Sequence, residues 1–189
     1  GQKLRESEVK IAAREMGLPV LQPEKLRDPE FLTALRALQP DLGIVIAFRM
    51  LPEAVWALPR LGTFNLHASL LPQYRGAAPI NWALINGETC TGVTTFLLNH
   101  EIDKGAILAQ RTEPIRPDDN AGTLYERLMR IGAELVTQTV ERIAAGDLQP
   151  VEQSPAGEET LCPAPKIFRE NCEIDWSETG ERIVNLVRG

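Results

Sequence analysis

Apolar and polar positions along the chain change period several times, and each change marks an element. From Ser7 to Met16, Val9, Ile11, Ala12 and Met16 recur at helical spacing and stop at Gly17, which predicts a helix with a glycine end. Pro19–Gln22 reads as a short strand. Asp28 before Pro29 is the cap and first-turn signature of a helix running to Gln39. Leu42–Phe48 is a continuous apolar run, Leu-Gly-Ile-Val-Ile-Ala-Phe, and predicts a strand buried on both faces. Pro52 opens a short helix ending near Leu58, and Thr63–Leu66 is the next strand. Ala78–Asn86 is a helix closed by Gly87, followed by strands over Gly92–Asn99 and Ala106–Ile115. Thr123–Ala145 carries Leu124, Leu128, Ile131, Leu135, Val136, Val140 and Ile143 on one stripe, the pattern of a long amphipathic helix. Gly146–Pro165, rich in Pro, Gly and Glu, predicts loops with one short strand, and a last helix begins near Ser177.

Strands alternating with helices imply an α/β fold with a Rossmann-like, mostly parallel twisted sheet and helices on both faces. Ligands in such sheets bind beyond the C-terminal ends of strands. Asn65 and His67 lie at one such end, and Phe48–Leu51 at another. There is no internal repeat and no low-complexity tract.

Composition narrows the class. The 189 residues suffice for one well-buried domain, and 43% apolar with 24% charged residues is the balance of a soluble globular protein. No apolar run approaches the ~20 residues of a membrane-spanning helix, and residues 1–14 lack the apolar stretch of a secretory signal. A formal charge of −6 makes a poor non-specific nucleic-acid binder. Cys90, Cys162 and Cys172 show no C-x-x-C spacing, so free thiols in a reducing cytoplasm are expected. Neither His67 nor His100 belongs to a His or Cys cluster, and no structural metal is expected.

The candidate chemistry centres on Asn65 and His67. Two residues apart on a strand, they point to the same face. An amide donor beside a group that titrates near neutrality can stabilise a carbonyl oxygen as it becomes an oxyanion, and can manage a proton beside it. Spacing alone leaves a second reading open, in which both are strand-end residues satisfied by backbone. Ser69 lacks the G-x-S-x-G context of a nucleophile elbow, and no dinucleotide or Walker A loop is present.

The run Asn65-Leu66-His67-Ala68-Ser69-Leu70-Leu71-Pro72, then Arg75-Gly76-Ala77-Ala78-Pro79-Ile80, resembles the signature of the folate-dependent formyltransferases. His100-Glu101-Ile102-Asp103-Lys104-Gly105, Pro163–Ile167 and Glu173–Trp176 extend the resemblance across nearly the whole chain. It implies catalytic roles for Asn65, His67 and Asp103, the last 36 residues beyond His67, so that only the fold can unite them. It implies a pterin pocket formed by Phe48, Arg49, Met50 and Leu51, by Ser69, Leu70, Leu71 and Pro72, and by Ile102. Arg75 and Gly76 would border the acceptor. The formyl donor implied is 10-formyltetrahydrofolate, without a metal. The acceptor implied first is the amino group of initiator methionyl-tRNA; the basic residues Lys3, Arg5 and Arg75 would contact its acceptor stem. An amino sugar nucleotide and, third, glycinamide ribonucleotide are the enzymatic alternatives; a silent folate-binding module is the alternative of another class. The resemblance further implies a cytoplasmic monomer. Residues 1–165 would be a catalytic domain lacking its first strand–helix unit, and 166–189 a linker with the first helix of a C-terminal domain.

Overall fold

A computed structural model of the chain describes residues 6–47, 50–153 and 160–189. The elements in order are α1 (Glu8–Glu15), α2 (Pro29–Ala37), β1 (Gly43–Val45), α3 (Glu53–Trp56), β2 (Thr63–His67), α4 (Pro79–Ile85), β3 (Cys90–Leu97), β4 (Ile107–Pro114), α5 (Ala121–Ala145) and α6 (Gly180–Arg188). A 3-10 turn, Arg169–Cys172, precedes α6. The strands form one sheet in the order β1-β2-β3-β4.

The α/β, Rossmann-like architecture holds, but the sheet is not mostly parallel among the described residues. β1 and β2 run parallel, whereas β2–β3 and β3–β4 are antiparallel, so the sheet is mixed among the described residues. The connection 98–106 is shorter than the dozen or more residues a parallel crossover needs, so β4 must return antiparallel to β3.

Two local expectations are corrected. Pro19–Gln22 forms no strand; Val20 and Leu21 are exposed, with no sheet neighbour among the described residues to reward an extended backbone. β1 is shorter than Leu42–Phe48 and is not buried on both faces. It is the outermost strand among the described residues, and Ile44 and Ile46 are 46% and 58% exposed.

The core lies where α4 and α5 meet the sheet. Leu84, Val93, Leu124, Leu128 and Leu135 form one buried cluster, with Tyr74 and Ala164 brought in from loops. α5 starts two residues before the expected Thr123, because Asn120 caps it: its side chain accepts from Gly122 N at 2.9 Å and Thr123 N at 3.1 Å. α6 packs against α4, where Asn81 Nδ2 donates to Gly189 O. Among the described residues no helix is long and apolar enough to cross a membrane.

Candidate active site

β2 supplies the first two site residues. Alternation sends Leu66 toward the α5 side, where it packs on the core cluster, and turns Asn65 and His67 to the other face. Asn65 lies opposite Phe96 and His67 opposite Thr94 on β3. Both are buried, at 4% and 7% exposure, yet both line an open cavity of about 1540 Å³. Among the described residues the Asn65 side-chain amide has no hydrogen-bond partner. Its amide atoms are not sealed off, since Asn65 is not among the buried polar atoms left without a partner, so the amide is open to the cavity and free to donate to a ligand there.

The His67 ring has a fixed role on one side. Its Nε2 lies 2.8 Å from the Tyr74 carbonyl oxygen. A carbonyl only accepts, so Nε2 carries a proton, and the neutral ring keeps Nδ1 as the acceptor. Tyr74 is itself held firmly. Its phenol donates to Glu88 Oε1 at 2.5 Å and accepts from Asn86 Nδ2 at 3.2 Å. Burial, then the Glu88 hydrogen bond, push the phenol pKa well above its ordinary value, so the group stays a neutral donor.

Asp103 arrives from the β3–β4 connection, with a left-handed backbone at φ 54°. Its Oδ2 accepts from Gly76 N at 2.9 Å. His67 and Asp103 therefore bind the same short loop, two residues apart. That loop is strapped from behind by residues 162–164: Tyr74 N donates to Cys162 O at 2.7 Å, Ala164 N to Arg75 O at 2.8 Å, and Ala78 N to Ala164 O at 3.1 Å. Gly76 has φ 131°, and a Cβ there would lie 2.2 Å from Ala164 O, so only glycine fits.

The other residues singled out in the sequence divide into groups. Met50, Leu51, Ile102 and Gly76 line the same cavity as Asn65, His67 and Asp103. Ser69, Leu70, Leu71 and Pro72 are not on its wall. Ser69 and Leu71 pin the loop to β3 and β4: Thr94 Oγ1 donates to Ser69 O at 2.6 Å, Leu71 N donates to Thr94 Oγ1 at 3.1 Å, and Gln110 Nε2 on β4 donates to Leu71 O at 2.8 Å. Arg75 is also off the wall; its Nε and Nη2 donate to Gln153 Oε1 at 3.1 and 2.7 Å. Lys3, Arg5, Phe48 and Arg49 lie outside the described residues. Sequence reasoning missed Gln153, and it missed Lys25 and Arg27, two exposed cations on the cavity wall. Nothing in their local sequence marks them. Among the described residues no group of three His, Cys, Asp or Glu side chains is placed to hold a metal ion.

The arrangement suits acyl transfer. It offers an unpartnered amide donor, an imidazole with a defined tautomer and a carboxylate, all facing one cavity. The volume exceeds the ~300–1,000 Å³ of a single small-molecule site and has room for two reactants.

Comparison with known proteins agrees with that chemistry. A family model described as formyl transferase matches residues 1–140. The methionyl-tRNA formyltransferase of Parabacteroides distasonis is 59% identical over 191 residues, covering 100% of this chain and 59% of the relative. The chain thus spans about three-fifths of the length of the curated relatives it matches. Among solved structures, HypX from Aquifex aeolicus in complex with tetrahydrofolic acid superposes with TM-score 0.70 at 27% identity, over 85% of this chain and 28% of that one. An N-formyltransferase from Helicobacter canadensis, solved with folinic acid and dTDP-3-aminofucose, gives TM-score 0.60 at 28% identity, over 66% of this chain and 46% of that one.

Proposed function

The chain belongs to the formyl transferase family, and we propose that it carries the transfer site of an enzyme that moves a formyl group from 10-formyltetrahydrofolate to the amino group of initiator methionyl-tRNA. The observation that carries this reading is the 59% identity, across the whole chain, to an enzyme named for that acceptor.

In this reaction the amine attacks the formyl carbon and a tetrahedral oxyanion forms. The carbon–nitrogen bond to the folate then breaks, the folate nitrogen gains a proton, and the amine loses one. The unpartnered Asn65 amide is the donor for the oxyanion, a contact worth about 2.7–4 kcal/mol in comparable sites. His67 takes the amine proton at Nδ1 and returns it to the departing folate nitrogen; while protonated it adds charge opposite the oxyanion. Asp103 accepts a hydrogen bond at the amine. Met50, Leu51 and Ile102 offer apolar wall to the flat pterin. Ser69–Pro72 support this wall indirectly, by fixing the loop on β3 and β4. Lys25 and Arg27 add positive charge for the phosphates of an acceptor end. Residues 1–165 form the catalytic unit in this reading, acting as a cytoplasmic monomer.

The second reading, an amino sugar nucleotide as acceptor, is favoured by the likeness to the Helicobacter enzyme. The test offers 10-formyltetrahydrofolate with methionyl-tRNA and, in parallel, with amino sugar nucleotides, to the gene product that carries these residues. Formylation of methionyl-tRNA alone is expected. Formylation of the sugar alone would replace the reading, and no transfer to either would remove it.

A further inference from the structure

We propose that Gln153 is a positioning residue for this site, locking the Asp103 turn to the Arg75 loop through its side-chain amide. The inference rests on the function proposed above for its kinetic half, and on structure alone for the other.

A primary amide has one oxygen that accepts twice and one nitrogen that donates twice. Gln153 uses all four capacities. Its Oε1 receives Nε and Nη2 of Arg75 at 3.1 and 2.7 Å. Its Nε2 donates to Asp103 O at 2.9 Å and to Gly105 O at 2.8 Å. The orientation of the amide is unambiguous, because a guanidinium demands the oxygen and two carbonyls demand the nitrogen. The partners lie 78, 50 and 48 residues away in the chain, so no local turn makes these bonds.

Both ends of this strut need it. Among the described residues the Asp103 turn has no backbone ladder of its own, and its Asp103 and Gly105 carbonyls accept from Gln153. The turn is also tightly seated: Asp103 is left-handed at φ 54°, and a Cβ on Gly105 would lie 1.6 Å from Leu97 O. On the other side, Arg75 stands between Tyr74, whose carbonyl receives His67 Nε2, and Gly76, whose N–H binds the Asp103 carboxylate. One amide therefore fixes the relative placement of the imidazole and the carboxylate. Gln153 is held in turn by Val151, which exchanges two 2.8 Å backbone bonds with Ile107 at the start of β4.

Two variants separate the halves of the strut. Gln153→Ala removes both, whereas Gln153→Glu keeps an acceptor for Arg75 and loses the donors to Asp103 and Gly105. Hydrogen exchange followed by NMR reads the geometry without any activity. In both variants the Gly76 amide should exchange about 10-fold faster or more, while the amides of Thr94 and Thr95 in β3 stay protected. In formyl transfer to methionyl-tRNA, both variants should lose on the order of 10²-fold in kcat with the donor KM nearly unchanged, as expected of a misplaced catalytic pair. Unchanged Gly76 protection overturns the proposal, as does a loss of protection that spreads through β3, or a Gln153→Glu variant with normal kcat. If the parent transfers nothing to methionyl-tRNA, the proposed function fails, and selective loss at Gly76 still supports the strut.

Discussion

Gly76 shows how tightly single residues control this site. Its backbone at φ 131° is reserved for glycine, its N–H holds the Asp103 carboxylate, and Ala164 O occupies the space a Cβ would take. Gly76→Ala should therefore lower stability by about 1–3 kcal/mol, the scale of a strained backbone position. It should also slow the reaction by displacing Asp103. Thermal melting checks the first expectation; an unchanged Tm would show that the strap at residues 162–164 yields freely. That Asn65 and His67 share a face was legible in the sequence, because strand alternation sets it; the role proposed for them rests on the family resemblance. Gln153 was not legible. Its meaning lies in four bonds to partners that only the fold brings near, and a Gln in a loop carries no pattern of its own.

At the scale of elements, the start of α5 anchors the wall behind the site. Arg127 reaches back to both Asp119 oxygens at 2.6 Å and to Glu113 Oε1 at 2.7 Å, tying the helix to the end of β4. The Arg127 hydrogen bonds hold the Asp119 carboxyl well below the usual carboxylate range, with burial opposing them. A folded-state pKa below the unfolded one stabilises the fold fully above the unfolded value, about 3.9; the contribution declines below that value and is lost only as pH falls through the lower folded value. Asp119→Asn should cost about 1.5–3 kcal/mol at neutral pH. Denaturant titrations of parent and variant should begin to converge below about pH 4 and keep converging on further acidification; a constant difference at all pH values would refute the charge argument. The amphipathic period of α5 and its capping signal made this helix readable from the sequence. Strand pairing was less so: alternation defines the faces of β2, β3 and β4 but not which neighbour runs antiparallel. The apolar run at Leu42–Phe48 similarly predicted a buried strand, whereas burial depends on neighbours that a one-strand pattern cannot name.

The whole molecule carries −6 charge, and Arg75, expected to meet the acceptor, is committed to Gln153. The 189-residue chain alone should therefore bind tRNA weakly at physiological salt, in the ~10⁻⁴–10⁻⁶ M range of non-specific association, with a shallow salt dependence. A salt titration checks this; tight binding with a steep slope would mean a phosphate-binding surface within these residues.

The face of β2 shared by Asn65 and His67, completed by Asp103, is the proposed place of formyl transfer to methionyl-tRNA. The most direct test is a single-turnover transfer from 10-formyltetrahydrofolate by the gene product carrying this chain, comparing the parent with His67→Ala and Asn65→Ala. Both variants should bind methionyl-tRNA as the parent does and transfer on the order of 10²-fold or more slowly, since each group acts on charge that develops only in the transition state. Transfer at the parent's rate by His67→Ala would contradict the account.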